Sequence, residues 1–152
     1  MALSASTPPR RPGPVLAGPH GADMRYLCLI YLDEKQLAAM PEPEMSALNA
    51  RHLEFNGKLV DSGHYVEAEA LQPAAATTCV RIRNGKVALT DGPYAETKEM
   101  VAGFYLIEAR DLNEAVQVAS RIPAAPLGTV EIRPCRDLEV DGVAHKATRR
   151  AC

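Results

Sequence analysis

The residues of this sequence best suited to chemistry are one histidine, His52, and a charged loop, residues 91–99 (DGPYAETKE). His52 lies in a segment whose apolar residues repeat at helical spacing, four residues after Leu48 and three before Phe55. An imidazole on the apolar side of a helix loses hydration, so its pKa is expected to fall and its neutral form to persist near pH 7. A neutral imidazole held by a carboxylate is a general base.

Asp91 is the carboxylate that we expect to orient His52, because it stands where a predicted strand ends and the 91–99 loop begins. Asp61, at the exposed end of the predicted helix, is a weaker partner. Asp91-Gly92-Pro93 also has the composition of a turn, in which the Asp side chain bonds backbone amides ahead of it. A packed core or interface histidine is an equal alternative to a catalytic His52, whereas the turn-making and orienting roles of Asp91 can hold together.

The charged residues of the 91–99 loop, Glu96, Lys98 and Glu99, alternate in sign. Glu96 and Glu99 are three residues apart, a separation that would place them on one side of a helical turn. Such a run is usually a solvated surface. Two functional alternatives are binding of an anionic substrate by Lys98 and ion pairs across a dimer. The arginines available for such pairs are Arg81, Arg83 and Arg133.

His64 is a candidate metal ligand together with Asp91 or Glu67, but H-x-x-H and H-E-x-x-H spacings are absent from the sequence. The sequence also has no Gly-rich phosphate loop and no G-x-S-x-G motif. We therefore expect a protein that needs no metal and no cofactor.

Composition excludes several classes of protein. The 152 residues are enough for one domain, and the net charge of −2, the aromatic content of 5% and the absence of Trp argue against nucleic-acid binding. No apolar run approaches the roughly 20 residues of a membrane-spanning helix. The four cysteines form no C-x-x-C pair, which argues against disulfides and structural zinc and favours a reducing cytoplasm.

The two ends of the chain differ from its middle. Residues 1–23 are rich in Pro and Gly, lack apolar periodicity and are predicted to be a disordered extension. We expect the folded domain to cover residues 24–137, with Met24 as the natural start, and residues 138–152 to be a flexible polar tail.

Between these ends, strand and helix patterns alternate. Asn84-Gly85 is a strong signal for a two-residue hairpin turn, and Asp111 with Glu114 forms a plausible capping box. The predicted elements are strands 25–32, 66–71, 77–83, 86–90, 100–109 and 128–135, a helix over 44–60, and a helix from Asp111 that Pro123 ends. This order predicts a ferredoxin-like α+β fold with an extra β-hairpin.

A sheet with helices on one face leaves its other face exposed. Many predicted strand residues are apolar, so we expect that second face to pack against another subunit, giving a homodimer. The residues in question are Leu27, Leu29, Val80, Ile82, Phe104, Leu106 and Ile132.

Residues 91–108 (DGPYAETKEMVAGFYLIE) resemble the signature of the YCII-related proteins of the DGPF type, D-G-P-F-A-E-T-K-E followed by G-G-[FY]-Y. Segments 29–34, 69–73, 111–123 and 130–134 also resemble that family, so the resemblance covers residues 24–137. The sequence departs from the pattern at Tyr94, which stands for Phe, and at Ala102, which stands for Gly.

The resemblance implies a dimeric α+β barrel. It also implies a site, since the broader YciI-like superfamily includes members with a His–Asp pair in a cleft and a relative that eliminates chloride from a chlorinated hydroxyquinol. His52 matches the superfamily's helical histidine. DGPF genes often neighbour sigma factors of the extracytoplasmic type.

Residues and resemblance together predict an enzyme that performs acid–base chemistry on a small organic substrate, in a cleft between the 44–60 helix and the 91–99 loop. His52 would be the base and Asp91 its orienting partner. Substrate binding would fall to Tyr94, Glu96, Lys98 and Glu99. The alternative is a non-catalytic dimeric module that binds a small ligand or a partner protein, with a link to sigma-factor regulation.

Overall fold

The computed structural model describes residues 24–146, so the extension predicted for residues 1–23 lies outside the described part of the chain. The strands are β1 (Met24–Leu32), β2 (Tyr65–Ala70), β3 (Thr78–Arg83), β4 (Lys86–Asp91), β5 (Met100–Ala109), β6 (Thr129–Pro134), β7 (Leu138–Val140) and β8 (Val143–His145). The helices are α1 (Glu34–Ala39), α2 (Glu42–Asp61) and α3 (Leu112–Ala119), with short 3₁₀ turns at Ala74–Ala76 and Ala125–Leu127.

The main sheet has four strands in the order β2-β5-β1-β6, and all its neighbours are antiparallel. This α+β arrangement is compatible with the predicted ferredoxin-like fold. Two further hairpins, β3–β4 and β7–β8, form separate two-stranded sheets. The β3–β4 turn at Asn84-Gly85 has positive φ at both residues, 51° and 71°, so the predicted extra hairpin is confirmed.

One face of the main sheet carries the core. Alternate residues of β1, from Tyr26 to Leu32, are at most 5% exposed, and they pack with Ile107 of β5 and Leu59 of α2. The residues between them in β1 are only half-buried. The continuous apolar run of β1 is typical of a strand buried on both faces, but within one chain only the helix-covered face is fully buried.

The long helix α2 follows the predicted stripe. Leu48, Phe55 and Leu59 are buried, the last two in the core cluster with the sheet, and His52 is half-buried. The helix starts earlier than predicted because Pro41 and Pro43 fit its N-terminus, where their missing N–H groups cost nothing. Sequence analysis missed α1, which begins where the Asp33 side chain accepts a 2.9 Å hydrogen bond from the Lys35 amide.

Helix α3 starts as predicted but ends one turn early. Asp111 Oδ1 accepts a 2.9 Å bond from the Glu114 amide, whereas Glu114 Oε2 reaches back to the Arg110 amide at 2.7 Å. The helix ends at Ala119, not at Pro123. Its buried residues are Ala115, Val118 and Ala119, whereas Val116 is 44% exposed.

Two further expectations differ from the structure. Residues 138–145, predicted to be an irregular tail, form the β7–β8 hairpin around Asp141-Gly142, a turn signal that sequence analysis overlooked. Ile132, predicted to lie on the exposed face of the sheet, packs against the core. Within residues 24–146 no helix has the length and apolar character needed to cross a membrane.

Candidate functional site

An open cleft with a volume of about 770 Å³ lies between the 91–99 loop and the start of α1; we call it the loop cleft. Its lining residues are Asp33, Glu34, Lys35, Ala74, Ala75, Gly92, Pro93, Glu96, Thr97, Lys98 and Met100. Glu96 and Lys98, two of the residues predicted to bind substrate, therefore lie in the cleft. Tyr94 and Glu99 are not among its lining residues.

The first half of the 91–99 loop is fixed to the β3–β4 hairpin. The Gly92 amide donates a 2.7 Å hydrogen bond to the Thr77 carbonyl, and Cys79 Sγ donates to the Gly92 carbonyl at 3.3 Å. Gly92 has a φ of 99°, in a region that residues with a Cβ rarely adopt. The Asp-Gly-Pro sequence thus positions one wall of the loop cleft.

The second half of the loop is fixed to β6. Thr129 Oγ1 donates to Glu99 Oε2 at 2.9 Å, and Thr97 Oγ1 donates to the Glu99 carbonyl at 2.5 Å. Residues 92–99 contain no helical turn, so the placement of Glu96 and Glu99 on one side of such a turn was wrong. Glu99 anchors the loop, whereas the Tyr94 ring is 86% exposed.

The opposite wall is the first turn of α1. The Asp33 carboxylate caps that helix, and Glu34 Oε1 accepts a 2.6 Å hydrogen bond from the Ala74 amide. Both carboxylates are therefore occupied by backbone donors. Lys35 and Lys98 form no ion pair with any residue in the described range 24–146.

His52 has Tyr105 as its partner. A distance of 2.7 Å separates His52 Nδ1 from Tyr105 Oη, and the two rings stack with centroids 6.0 Å apart. The Tyr105 ring also meets Phe55 edge-on, at a centroid distance of 5.5 Å. The phenol is buried in β5, so this contact fixes the orientation of the imidazole.

Burial shifts both groups towards their neutral forms. It lowers the pKa of His52 below its usual value, and the nearby Arg51 charge lowers it further. Burial, with a smaller effect of Tyr65, raises the pKa of Tyr105 to about 12. One helical turn after His52, the buried Asn56 Oδ1 has no hydrogen-bond partner in the described chain.

The structure does not bring His52 and Asp91 together. Asp91 is exposed at the end of β4, opposite Thr78, and among residues 24–146 it shares no hydrogen bond or ion pair with His52. The causes of the lowered His52 pKa include no carboxylate. The predicted cleft also changes, because the 91–99 loop faces α1 and not α2. A His52–Asp91 pair stays a prediction.

His64 belongs to another cluster. Its Nδ1 lies 2.7 Å from Ser62 Oγ and its Nε2 lies 3.7 Å from Glu114 Oε1, so it links the end of α2 to the start of α3. Hydrogen bonds from the Arg110 backbone and side chain lower the pKa of Glu114. Within residues 24–146, no group of three or more His, Cys, Asp or Glu side chains is placed to hold a metal ion.

Sequence analysis missed three parts of these sites: Tyr105, Asn56 and the α1 wall of the loop cleft. The α1 wall had a readable signal, an Asp followed by the helix-forming run EKQLAA. No sequence signal identified Tyr105 as the partner of His52, because an inward-facing tyrosine in an apolar strand is indistinguishable from an ordinary core residue. No sequence signal identified Asn56 either, because it stands among the polar residues of α2.

Comparison with known proteins agrees with the sequence resemblance. The model of the YCII-related domain matches residues 24–139. An uncharacterised protein of Rhizobium meliloti (strain 1021) is 34% identical over 113 residues, which is 73% of this chain and 91% of that protein.

Proposed function

The chain belongs to the YCII-related family, and we propose that it binds a small organic anion in the loop cleft. The observation that carries this proposal is the pair of lysines, Lys35 and Lys98, on opposite walls of one cleft. Their positive charges face a space of about 770 Å³, which falls in the range usual for small-molecule sites.

Lys35 and Lys98 are the cationic residues among those that line the cleft. Asp33 and Glu34 keep their negative charges, but each already accepts a hydrogen bond from a backbone amide, whereas neither lysine forms an ion pair within residues 24–146. An ammonium group contributes three donors that suit carboxylate or phosphate oxygens. The proposed ligand therefore carries a carboxylate or phosphate between Lys35 and Lys98.

Glu96 gives the same cleft a second chemical preference. Its carboxylate lies on the wall that carries Lys98 and accepts hydrogen bonds from hydroxyl or amine groups. A ligand with an anionic end and a hydroxyl or amine several bonds away matches both groups. Hydroxy acids, amino acids and sugar phosphates have this pattern.

The test is a thermal-shift screen of hydroxy acids, amino acids and sugar phosphates, followed by calorimetry on each hit. For a hit, Lys98→Gln and Lys35→Gln are each expected to weaken binding about 10- to 100-fold, because each removes one charge-assisted hydrogen bond worth about 1.5–3 kcal/mol. Added salt should also weaken the binding of the compound to the wild type, since counter-ions in this open cleft screen the lysine charges.

Lys58→Gln is the matched control, since Lys58 is an exposed lysine of α2 that pairs with Glu54 away from the cleft. It should leave the affinity unchanged. An equal loss of affinity in Lys58→Gln, or no compound bound in the whole screen, would contradict the proposal.

A second candidate function is acid–base catalysis at His52, favoured by the 2.7 Å contact with Tyr105. In the tautomer whose Nδ1–H donates to Tyr105 Oη, His52 Nε2 has a free lone pair for a substrate proton. The lowered pKa of His52 favours the neutral ring, in which that lone pair is available.

Turnover of a metabolite mixture by wild type and His52→Gln tests this second function. Wild-type turnover should decline towards acid pH, where the ring takes up a proton, and because the pKa of His52 is lowered this decline should come at a lower pH than for an exposed histidine. His52→Gln should lose about 100-fold or more of the rate, the scale of general acid–base catalysis. Two variants show whether Asp91 or Tyr105 is the catalytic partner of His52. If Asp91→Asn abolishes turnover and Tyr105→Phe does not, the partner is Asp91.

We also propose that two copies associate through the uncovered face of the main sheet. Leu27, Leu29, Phe104 and Leu106 on that face are half-buried and do not belong to the core cluster. Apolar sheet faces of this kind are commonly covered by a partner.

A further inference from the structure

The charges that line the loop cleft discriminate between the kinds of ligand that it can hold. Two lining residues are cations, Lys35 and Lys98, and three are carboxylates, Asp33, Glu34 and Glu96, so the formal charge of the lining is −1. A ligand with two negative charges, such as a sugar phosphate or a dicarboxylate, meets repulsion from this surplus carboxylate. A ligand whose own charges cancel avoids the repulsion and still offers an anionic group to the lysines.

Glu96 is the carboxylate of the cleft that is open to a ligand. Asp33 and Glu34 each accept a hydrogen bond from a backbone amide. The Glu96 side chain forms no hydrogen bond or ion pair with any residue in 24–146, and it does not pair with Lys98, two residues further along the loop. Such a carboxylate prefers a ligand ammonium group to a hydroxyl, because a charge-assisted hydrogen bond is about twice as strong as a neutral one.

Apolar groups make up much of the remaining lining. The hydroxyl of Thr97 already donates to the Glu99 carbonyl, so it is not a free donor for a ligand. Side chains without a strong hydrogen-bonding group suit contact with methylene groups. Four lining residues are of this kind: Ala74, Ala75, Pro93 and Met100.

We propose that the ligand of the loop cleft is an ω-amino acid, a zwitterion whose charges stand at the two ends of a methylene chain. Its carboxylate lies between Lys35 and Lys98, and its ammonium group binds Glu96. This inference rests on the proposed function, the binding of an organic anion in the loop cleft. It selects amino acids over the hydroxy acids and sugar phosphates that share the same pattern of groups.

The test is calorimetry with ω-amino acids from β-alanine to ε-aminocaproate, each compared with the hydroxy acid and the dicarboxylate of equal chain length. At the best chain length, the wild type is expected to bind the amino acid about 10-fold or more tightly than either analogue. The hydroxy acid lacks the ion pair with Glu96, and the dicarboxylate places a second negative charge beside it.

Glu96→Gln should move the affinities for two of these ligands in opposite directions. The amide cannot form an ion pair with an ammonium group, so binding of the amino acid should weaken about 10-fold. The lining then has no net charge, so binding of the dicarboxylate should strengthen. The matched control is Glu139→Gln, which removes an exposed carboxylate of β7 that does not line the cleft, and it should change neither affinity by more than about twofold.

The possible failures are distinguishable. If hydroxy acids or dicarboxylates bind as tightly as the amino acids and lose affinity in Lys98→Gln, the zwitterion is wrong and the proposed anion site stands. If Glu96→Gln weakens all three ligands equally, Glu96 supports the cleft and does not select an ammonium group, which also overturns the inference. If no compound of any class binds, the inference falls together with the proposed function.

Discussion

Replacing Tyr105 by alanine is expected to lower the free energy of unfolding by about 3–5 kcal/mol, the range for removing a large aromatic side chain from a core. Tyr105 is 4% exposed, and its ring joins Phe55 of α2 to the sheet. Its removal leaves a cavity under α2 and strips His52 of its hydrogen-bond partner. Urea unfolding followed by circular dichroism measures the change.

Two further variants show how much of this loss of stability comes from the Tyr105 hydroxyl and how much from burial of the ring. Tyr105→Phe keeps the ring and removes only the hydroxyl, so it should cost about 1 kcal/mol, the net value of one hydrogen bond. Tyr94→Ala removes an 86% exposed tyrosine and should change stability by less than about 0.5 kcal/mol. Equal losses for Tyr105→Ala and Tyr94→Ala would show that Tyr105 does not hold α2 to the sheet.

Gly128→Ala is expected to destabilise the protein by about 3 kcal/mol, at the upper end of the usual cost of overpacking. A Cβ at residue 128 would lie 2.0 Å from the carbonyl oxygen of Tyr31 and 2.9 Å from Leu32 Cδ2. The first of these atoms belongs to the backbone of β1, which cannot rotate away as a side chain does. Strand β6 must therefore move off β1, which weakens their pairing from Thr129 onwards.

Gly57→Ala is the control for this prediction. Gly57 lies inside α2, and a Cβ there meets nothing within 4 Å. Alanine should therefore stabilise the protein by about 0.5–1 kcal/mol through its better helix propensity. Thermal and urea unfolding of both variants should give shifts of opposite sign, and a neutral Gly128→Ala would refute the close approach of β6 to β1.

The sequence by itself determined those features that depend on neighbours along the chain. The apolar stripe of α2, with His52 in its gap, required only the helical period. The Asn84-Gly85 turn required only residues that accept positive φ, and the Asp111 cap required only a side chain three residues before an unpaired amide. The order of these elements then restricted the fold to one sheet with helices on a single face.

The tertiary structure alone decided which distant side chains meet. His52 of α2 contacts Tyr105 of β5, 53 residues away along the chain, beside the contact of Phe55 with the same ring. The sequence identified residues 91–99 as a loop. The position of α1 on the opposite wall of the loop cleft, however, depended on the path of the chain after β1. Contacts of this kind depend on packing angles and strand register, and these emerge only when the whole core closes.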